Sequence, residues 1–156
     1  MAEQKIRVLL VDDHKIFVEG VANLLSDQKD IEVAGLKYNG LSALDFLREK
    51  PTDLVLTDIQ MPGLNGIELT QKIKEEFPEI RIIALSMFDK KEIINELITS
   101  GAEGYLLKDI EKSELLKAIR NVVAGEYYYS SSIANILIKK LRKKIYLPRE
   151  KEKLLS

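Results

Sequence analysis

The chain of 156 residues has no cysteine. That excludes a disulfide scaffold, thiolate-bound zinc, iron–sulfur clusters and a cysteine nucleophile. It has one histidine, His14. With no other soft ligand in the sequence, His14 is expected to cap or flank a helix rather than to hold a metal. No apolar run approaches the ~18 residues needed to span a membrane. Met1–Lys5 lacks the basic-then-apolar order of a signal peptide, so a soluble cytoplasmic protein with no membrane role is the expectation. Neither GxGxxG nor GxxxxGK[ST] occurs, which argues against a nucleotide-binding α/β domain. There is no internal repeat and no low-complexity stretch.

What is present suffices for a core: 46% of residues are hydrophobic and 31% charged. Domains commonly run to ~100–150 residues, so one domain nearly fills the chain. The formal net charge of −1 hides an asymmetry. Residues 1–124 carry 16 Lys+Arg and 22 Asp+Glu, whereas residues 125–156 carry 8 and 3. An acidic body with a basic tail suggests two different jobs.

The body alternates short apolar runs with helical patterns. Strands are expected at 6–11, 31–35, 53–58, 81–86 and 104–107, by length and β-branched content. Between them lie amphipathic segments, bounded by Pro51, Pro78 and Gly101. Five β–α units in order predict an α/β fold, a doubly wound parallel sheet with helices on both faces. After residue 124, Tyr127–Tyr129 reads as connector packing. Ile133, Ile136, Leu137, Ile138 and Leu141 mark an amphipathic linker helix with basic residues Lys139–Lys144, a solvated face or a contact for DNA phosphates. Leu147–Pro148 starts a new segment, since proline is favourable at a first helical position. The expected organisation is a body at 1–124, a linker at 125–146 and the start of another unit at 147–156.

The polar residues at the strand ends carry the chemistry. Strand one ends in Asp12–Asp13, strand three in Asp58, strand four in Ser86 and strand five in Lys108. With sheet order 2-1-3-4-5, these converge at the topological switch point, where such folds bind ligands. Two like charges ~4 Å apart cost ~4 kcal/mol at an effective dielectric of 20. Three carboxylates together therefore need raised pKa values or a cation. Oxygen ligands without cysteine suit Mg²⁺, with Mn²⁺ as a substitute. Mg²⁺ sites of this kind handle phosphate. Lys108 would place a point charge on a phosphoryl oxygen, Ser86 a hydroxyl on another, and central Asp58 would attack phosphorus.

The ordered set Val11-Asp12-Asp13-His14, Asp58 to Gly66, Ser86 and Tyr105-Leu106-Leu107-Lys108-Asp109 resembles a bacterial response-regulator receiver domain over about residues 4–124. The Asp-Asp-His and Lys-Asp variants are similar to its LuxR/NarL-type branch. The resemblance implies a flavodoxin-like fold. It implies that Asp58 accepts a phosphoryl group from a histidine kinase, with Asp12, Asp13 and the Gln60 backbone carbonyl as Mg²⁺ ligands. It implies that Lys108 pairs with the phosphoryl group and that Ser86 and Tyr105 form a switch pair. Residues 147–155 resemble the opening helix of a LuxR-type helix-turn-helix domain, with Leu147 where that family usually has Thr or Ser. The recognition helix is absent, so 156 residues are expected to be part of a longer regulator that dimerises on phosphorylation and binds DNA through the missing domain. A stand-alone receiver, acting by protein contact or as a phosphate sink, is the alternative. An Asp-nucleophile phosphatase is disfavoured, because Gln60 stands where such enzymes have a second Asp. The protein is therefore read as a phosphoacceptor rather than an enzyme. Met87–Phe88 is assigned first to core or loop packing, with a surface or partner-facing position as the alternative.

Overall fold

The computed structural model describes residues 4–87 and 91–155, with side chains for all of these except 91 and 144–155. The elements in chain order are β1 (Ile6–Val11), α1 (Lys15–Leu25), β2 (Ile31–Lys37), α2 (Gly40–Glu49), β3 (Leu54–Asp58), α3 (Gly66–Glu76), β4 (Arg81–Ser86), α4 (Lys91–Ser100), β5 (Gly104–Leu107), α5 (Lys112–Val123), β6 (Tyr128–Tyr129) and α6 (Ser131–Leu155). The sheet order is β2-β1-β3-β4-β5-β6, and every pairing is parallel. This is the doubly wound fold expected from the sequence, extended by one strand.

The pleat explains the continuous apolar runs. Successive strand side chains point to opposite faces, and both faces are covered, so neither set can be polar. Leu9, Val11, Val55, Ile82, Ala84 and Tyr105 point to one face, beneath α2, α3, α4 and the start of α6. Val8, Leu10, Leu54, Leu56, Ile83, Leu85 and Leu106 point to the other, beneath α1 and α5. The strands are thus buried on both sides, and their C-terminal ends are held at one level.

The connector and the first turns of the linker helix pack on the body. Tyr128 pairs with Gly104 and Tyr129 with Tyr105, making β6 the sheet's edge. Ser130 N–H then donates to the Tyr105 carbonyl at 3.0 Å. Ile133 is fully buried, with Ile136 and Leu137 packed against the same core. Burying a side chain of this size is worth roughly 1.5–3 kcal/mol, so the first turns of α6 belong to the body. Ile138 and Leu141 remain exposed. Lys139, Arg142 and Lys143 face solvent, while the Lys144 side chain lies outside the described residues. Where the sequence suggests a fresh start at Leu147–Pro148, the backbone runs as one helix to Leu155.

A partly buried ion pair also holds the body. Lys74 on α3 donates to the Ile80 carbonyl at 2.8 Å and pairs with Glu103. The other Glu103 oxygen accepts from Ile82 N–H at 2.7 Å. Each end is hydrogen-bonded as well as paired, the condition under which burying charge is tolerated.

The turn after β3 is set locally. Asn65 Oδ1 accepts from Glu68 N–H at 2.9 Å, and the Glu68 carboxylate accepts from Asn65 N–H at 3.1 Å. This capping box starts α3. Asn65→Ala is expected to cost about 1 kcal/mol, measured by urea unfolding. A change indistinguishable from zero would show that the cap adds nothing here.

Candidate functional site

The C-terminal ends of β1, β3, β4 and β5 open into a cleft of about 240 Å³. Asp13, His14, Asp58, Gln60, Ser86, Met87 and Lys108 line it. Asp12 sits at its base, 3% exposed, and its N–H donates to the Lys37 carbonyl at 3.1 Å. Asp58 closes β3 and is 4% exposed. Its Oδ1 accepts from Ile59 N–H at 2.8 Å. Ser86 is buried at the end of β4. Lys108 follows β5, and its N–H donates to the Ser86 carbonyl at 2.8 Å, which fixes the lysine at the rim.

The Lys108 ammonium lies 2.8 Å from Asp12 Oδ2 and 3.4 Å from Asp58 Oδ1. It also sits 4.6 Å above the centroid of the Phe17 ring. One cation therefore faces three carboxylates, leaving a formal charge of −2. Asp58 Oδ2 and Asp13 Oδ1 are buried atoms with no hydrogen bond among the described residues. Burial, and next the charge of Asp12, push the Asp58 carboxyl up to about 6, against Lys108 and the Ile59 hydrogen bond. Unpaired carboxylate oxygens in low dielectric are costly. A divalent cation with a preference for oxygen fits that deficit in both charge and donor type.

All the strand-end residues named from the sequence (Asp12, Asp13, Asp58, Ser86 and Lys108) come together here, with Gln60 beside them. Tyr105 does not line the cleft. Its ring is fully buried in the core beneath α4 and α6. Met87 is not core packing: it is 70% exposed at the cleft mouth. Its neighbour Phe88 lies outside the described residues. His14 holds the N-cap position of α1, as the sequence suggests, but makes no side-chain cap bond. Its Nδ1 turns to the acidic cluster instead, 3.1 Å from Asp12 Oδ1, 3.5 Å from Asp13 Oδ1 and 3.8 Å from Asp58 Oδ2. The one signal for this in the sequence is adjacency to Asp12–Asp13, which says nothing of ring direction.

Beside the cleft, a mostly apolar groove of about 650 Å³ runs between the start of α1 and the β5–α5 turn. Its lining includes Ile16, Phe17, Met87 and Leu107.

Comparison with known proteins agrees with this geometry. The family described as "Response regulator receiver domain" matches residues 8–120. The chain is similar to the nitrate/nitrite response regulator protein NarL of Escherichia coli K12, 36% identical over 90% of this chain and 65% of that protein. It is also similar to the transcriptional regulatory protein DegU of Brevibacillus brevis, 32% identical over 90% of this chain and 60% of that one. The chain thus spans under two thirds of the length of these relatives. Among solved structures, it superposes on the signal receiver domain of the putative response regulator NarL from Mycobacterium tuberculosis. That match has TM-score 0.76 and 31% identity, covering 80% of this chain and 100% of the other. A LuxR-family two-component response regulator from Aurantimonas sp. SI85-9A1 superposes with TM-score 0.83 at 30% identity, over 88% and 98%.

Proposed function

Because this chain belongs to the response-regulator receiver domain family, of the NarL/LuxR type, we propose that it is a switch charged by phosphorylation of Asp58. A histidine kinase is the phosphoryl donor, and the cytoplasm is its place of action. The observation that carries this reading is the Asp58 carboxylate at the centre of the cleft, with Oδ2 unpartnered and Lys108 beside Oδ1. A carboxylate oxygen held this way is a nucleophile whose competing hydrogen bonds have been removed.

The transfer is a displacement at phosphorus. An Asp58 oxygen forms the new P–O bond, the donor's phosphorus–nitrogen bond breaks, and the imidazole leaves with the electron pair. Asp58 must be ionised to attack, and a carboxyl at about 6 is mostly ionised at neutral pH. Lys108, already within 3.4 Å of Asp58 Oδ1, is placed to shift onto a phosphoryl oxygen. The Ser86 hydroxyl lies at the end of the neighbouring strand, in reach of another. Mg²⁺, held by Asp12, Asp13, Asp58 and the Gln60 carbonyl, would supply neutralising charge, with Mn²⁺ as substitute. With Gln60 two residues after Asp58, where Asp-nucleophile phosphatases have a second Asp, the chain is read as an acceptor that at most catalyses its own phosphorylation and dephosphorylation.

The output is proposed to run through Ser86 and Tyr105, which end β4 and occupy β5. Ser130 N–H ties the Tyr105 carbonyl to the start of α6. A rearrangement of β5 is therefore felt at the linker. Dimerisation and DNA binding, through a domain beyond this chain, complete the reading.

Acetyl phosphate with Mg²⁺ is expected to add one phosphoryl group, ~80 Da by intact mass, stable to acid and labile to base. Asp58→Asn is expected to abolish the gain. No gain, or the same gain in the variant, sinks the assignment. A sizing column run on the same samples tests dimerisation, and an unchanged elution volume counts against it for this chain.

A further inference from the structure

We propose that His14 is a further ligand of the cation site, and that its nitrogen lets the site hold imidazole-binding divalent ions of the first transition row, beside Mg²⁺, more tightly than its carboxylates would alone. The inference rests on the reading of Asp12, Asp13 and Asp58 as a cation site and adds a residue to it. One ligand atom from each of Asp12, Asp13, His14 and Asp58 lies within 4.8 Å of all the others. Opposite ligands of an ion bonded at ~2.1 Å are about 4.2 Å apart, so the four atoms close on an ion with shifts of a few tenths of an ångström.

The ring is not held there by a helix-capping role, because its side chain makes no cap bond. Two hydrogen bonds to one oxygen hold it instead: the His14 N–H donates to Asp12 Oδ1 at 2.9 Å, and the ring Nδ1 is 3.1 Å from the same oxygen. The first orients residue 14 against the carboxylate its ring also faces. Two buried oxygens without a hydrogen bond, Asp13 Oδ1 and Asp58 Oδ2, lie 3.5 and 3.8 Å from Nδ1. Asp58 is more than nine-tenths buried. Imidazole and carboxylates in one shell bind Mn²⁺, Co²⁺ and Zn²⁺ in rising order, whereas Mg²⁺ takes oxygen and water. Three carboxylates alone already favour the later first-row ions, but only weakly. A nitrogen donor steepens that preference.

The test compares the metal-stripped 156-residue chain with His14→Ala. The His14 side chain is 61% exposed, so its truncation leaves the core untouched. Co²⁺ is the probe, with affinity from calorimetry and ligation from its visible ligand-field spectrum. Mg²⁺ affinity comes from displacement of Co²⁺. The variant is expected to lose at least ~10–100-fold in Co²⁺ affinity, the loss typical of removing a mere outer-shell partner, to change its Co²⁺ spectrum and to lose far less for Mg²⁺. Equal losses for both ions, no loss, or tighter binding once the ring is gone would each overturn the role of His14 while leaving the carboxylate site standing. If the unmutated chain binds neither ion, the cation site itself fails.

Discussion

Asp58→Asn is expected to make the metal-free protein more stable at neutral pH, by on the order of 2–3 kcal/mol. Burial and the charge of Asp12 raise the Asp58 carboxyl from its ordinary value to about 6 in the folded state. In the unfolded chain it returns to ~3.9. Between those values the folded state binds more protons than the unfolded one, so stability falls as pH rises through that window. The penalty is complete above about 6 and absent below the unfolded value. Asparagine removes the charge and keeps an oxygen for the Ile59 N–H bond. Lys108 retains Asp12 at 2.8 Å. The gain should therefore be full at pH 7.5 and largely lost by pH 4, as read by urea unfolding. Mg²⁺ should stabilise the unmutated chain more than the variant, because binding to the folded state alone adds to stability. A variant less stable at pH 7.5, or one whose gain ignores pH, would contradict the electrostatic account.

The second large effect is expected at Gly66. A Cβ there would lie 2.1 Å from the Asp58 carbonyl oxygen and 2.7 Å from the Ile59 Cα. Both obstacles are backbone, and Gly66 N–H also donates to the Ile59 carbonyl at 2.8 Å. No rotamer change relieves such a clash. Either α3 retreats or the end of β3 moves with the phosphoacceptor on it. Gly66→Ala is expected to cost at least ~3 kcal/mol, the upper range for overpacking, and to slow phosphorylation by acetyl phosphate. Gly63 supplies the contrast. It has φ 75°, and a Cβ added there would meet nothing within 4 Å. Gly63→Ala should cost only the ~1–2 kcal/mol of a left-handed backbone. If Gly66→Ala unfolds no more easily than Gly63→Ala, close packing is not what requires glycine at 66.

Much of the site was legible before folding because strands announce themselves. An apolar run buried on both faces has no reason to end in Asp, Ser or Lys unless the chain there leaves the core. Asp12, Asp58, Ser86 and Lys108 each mark such an exit, and the parallel topology places all the exits on one side. Other features left no comparable mark. Strand β6 is two residues long, too short for a period of two to show. Lys74 and Glu103 are 29 residues apart, and neither stands out in a chain that is 31% charged. The α6 stripe is visibly apolar, but its spacing says nothing of what covers it. Ile133 met the β5 core while Ile138 and Leu141 stayed in water.

By itself, then, the sequence determined the layered α/β fold, the acidic body with its basic tail, and the residue types at the strand ends. Those follow from local rules: periodicity, turn chemistry and the cost of burying charge. Only the tertiary structure decided that His14 turns inward, that Asp58 keeps an unpaired oxygen beside Lys108, that the Tyr105 ring lies in the core, and that the tail joins the sheet. These depend on distances between residues remote in the chain and on the direction of single side chains. Packing sets such distances, and no local pattern encodes them.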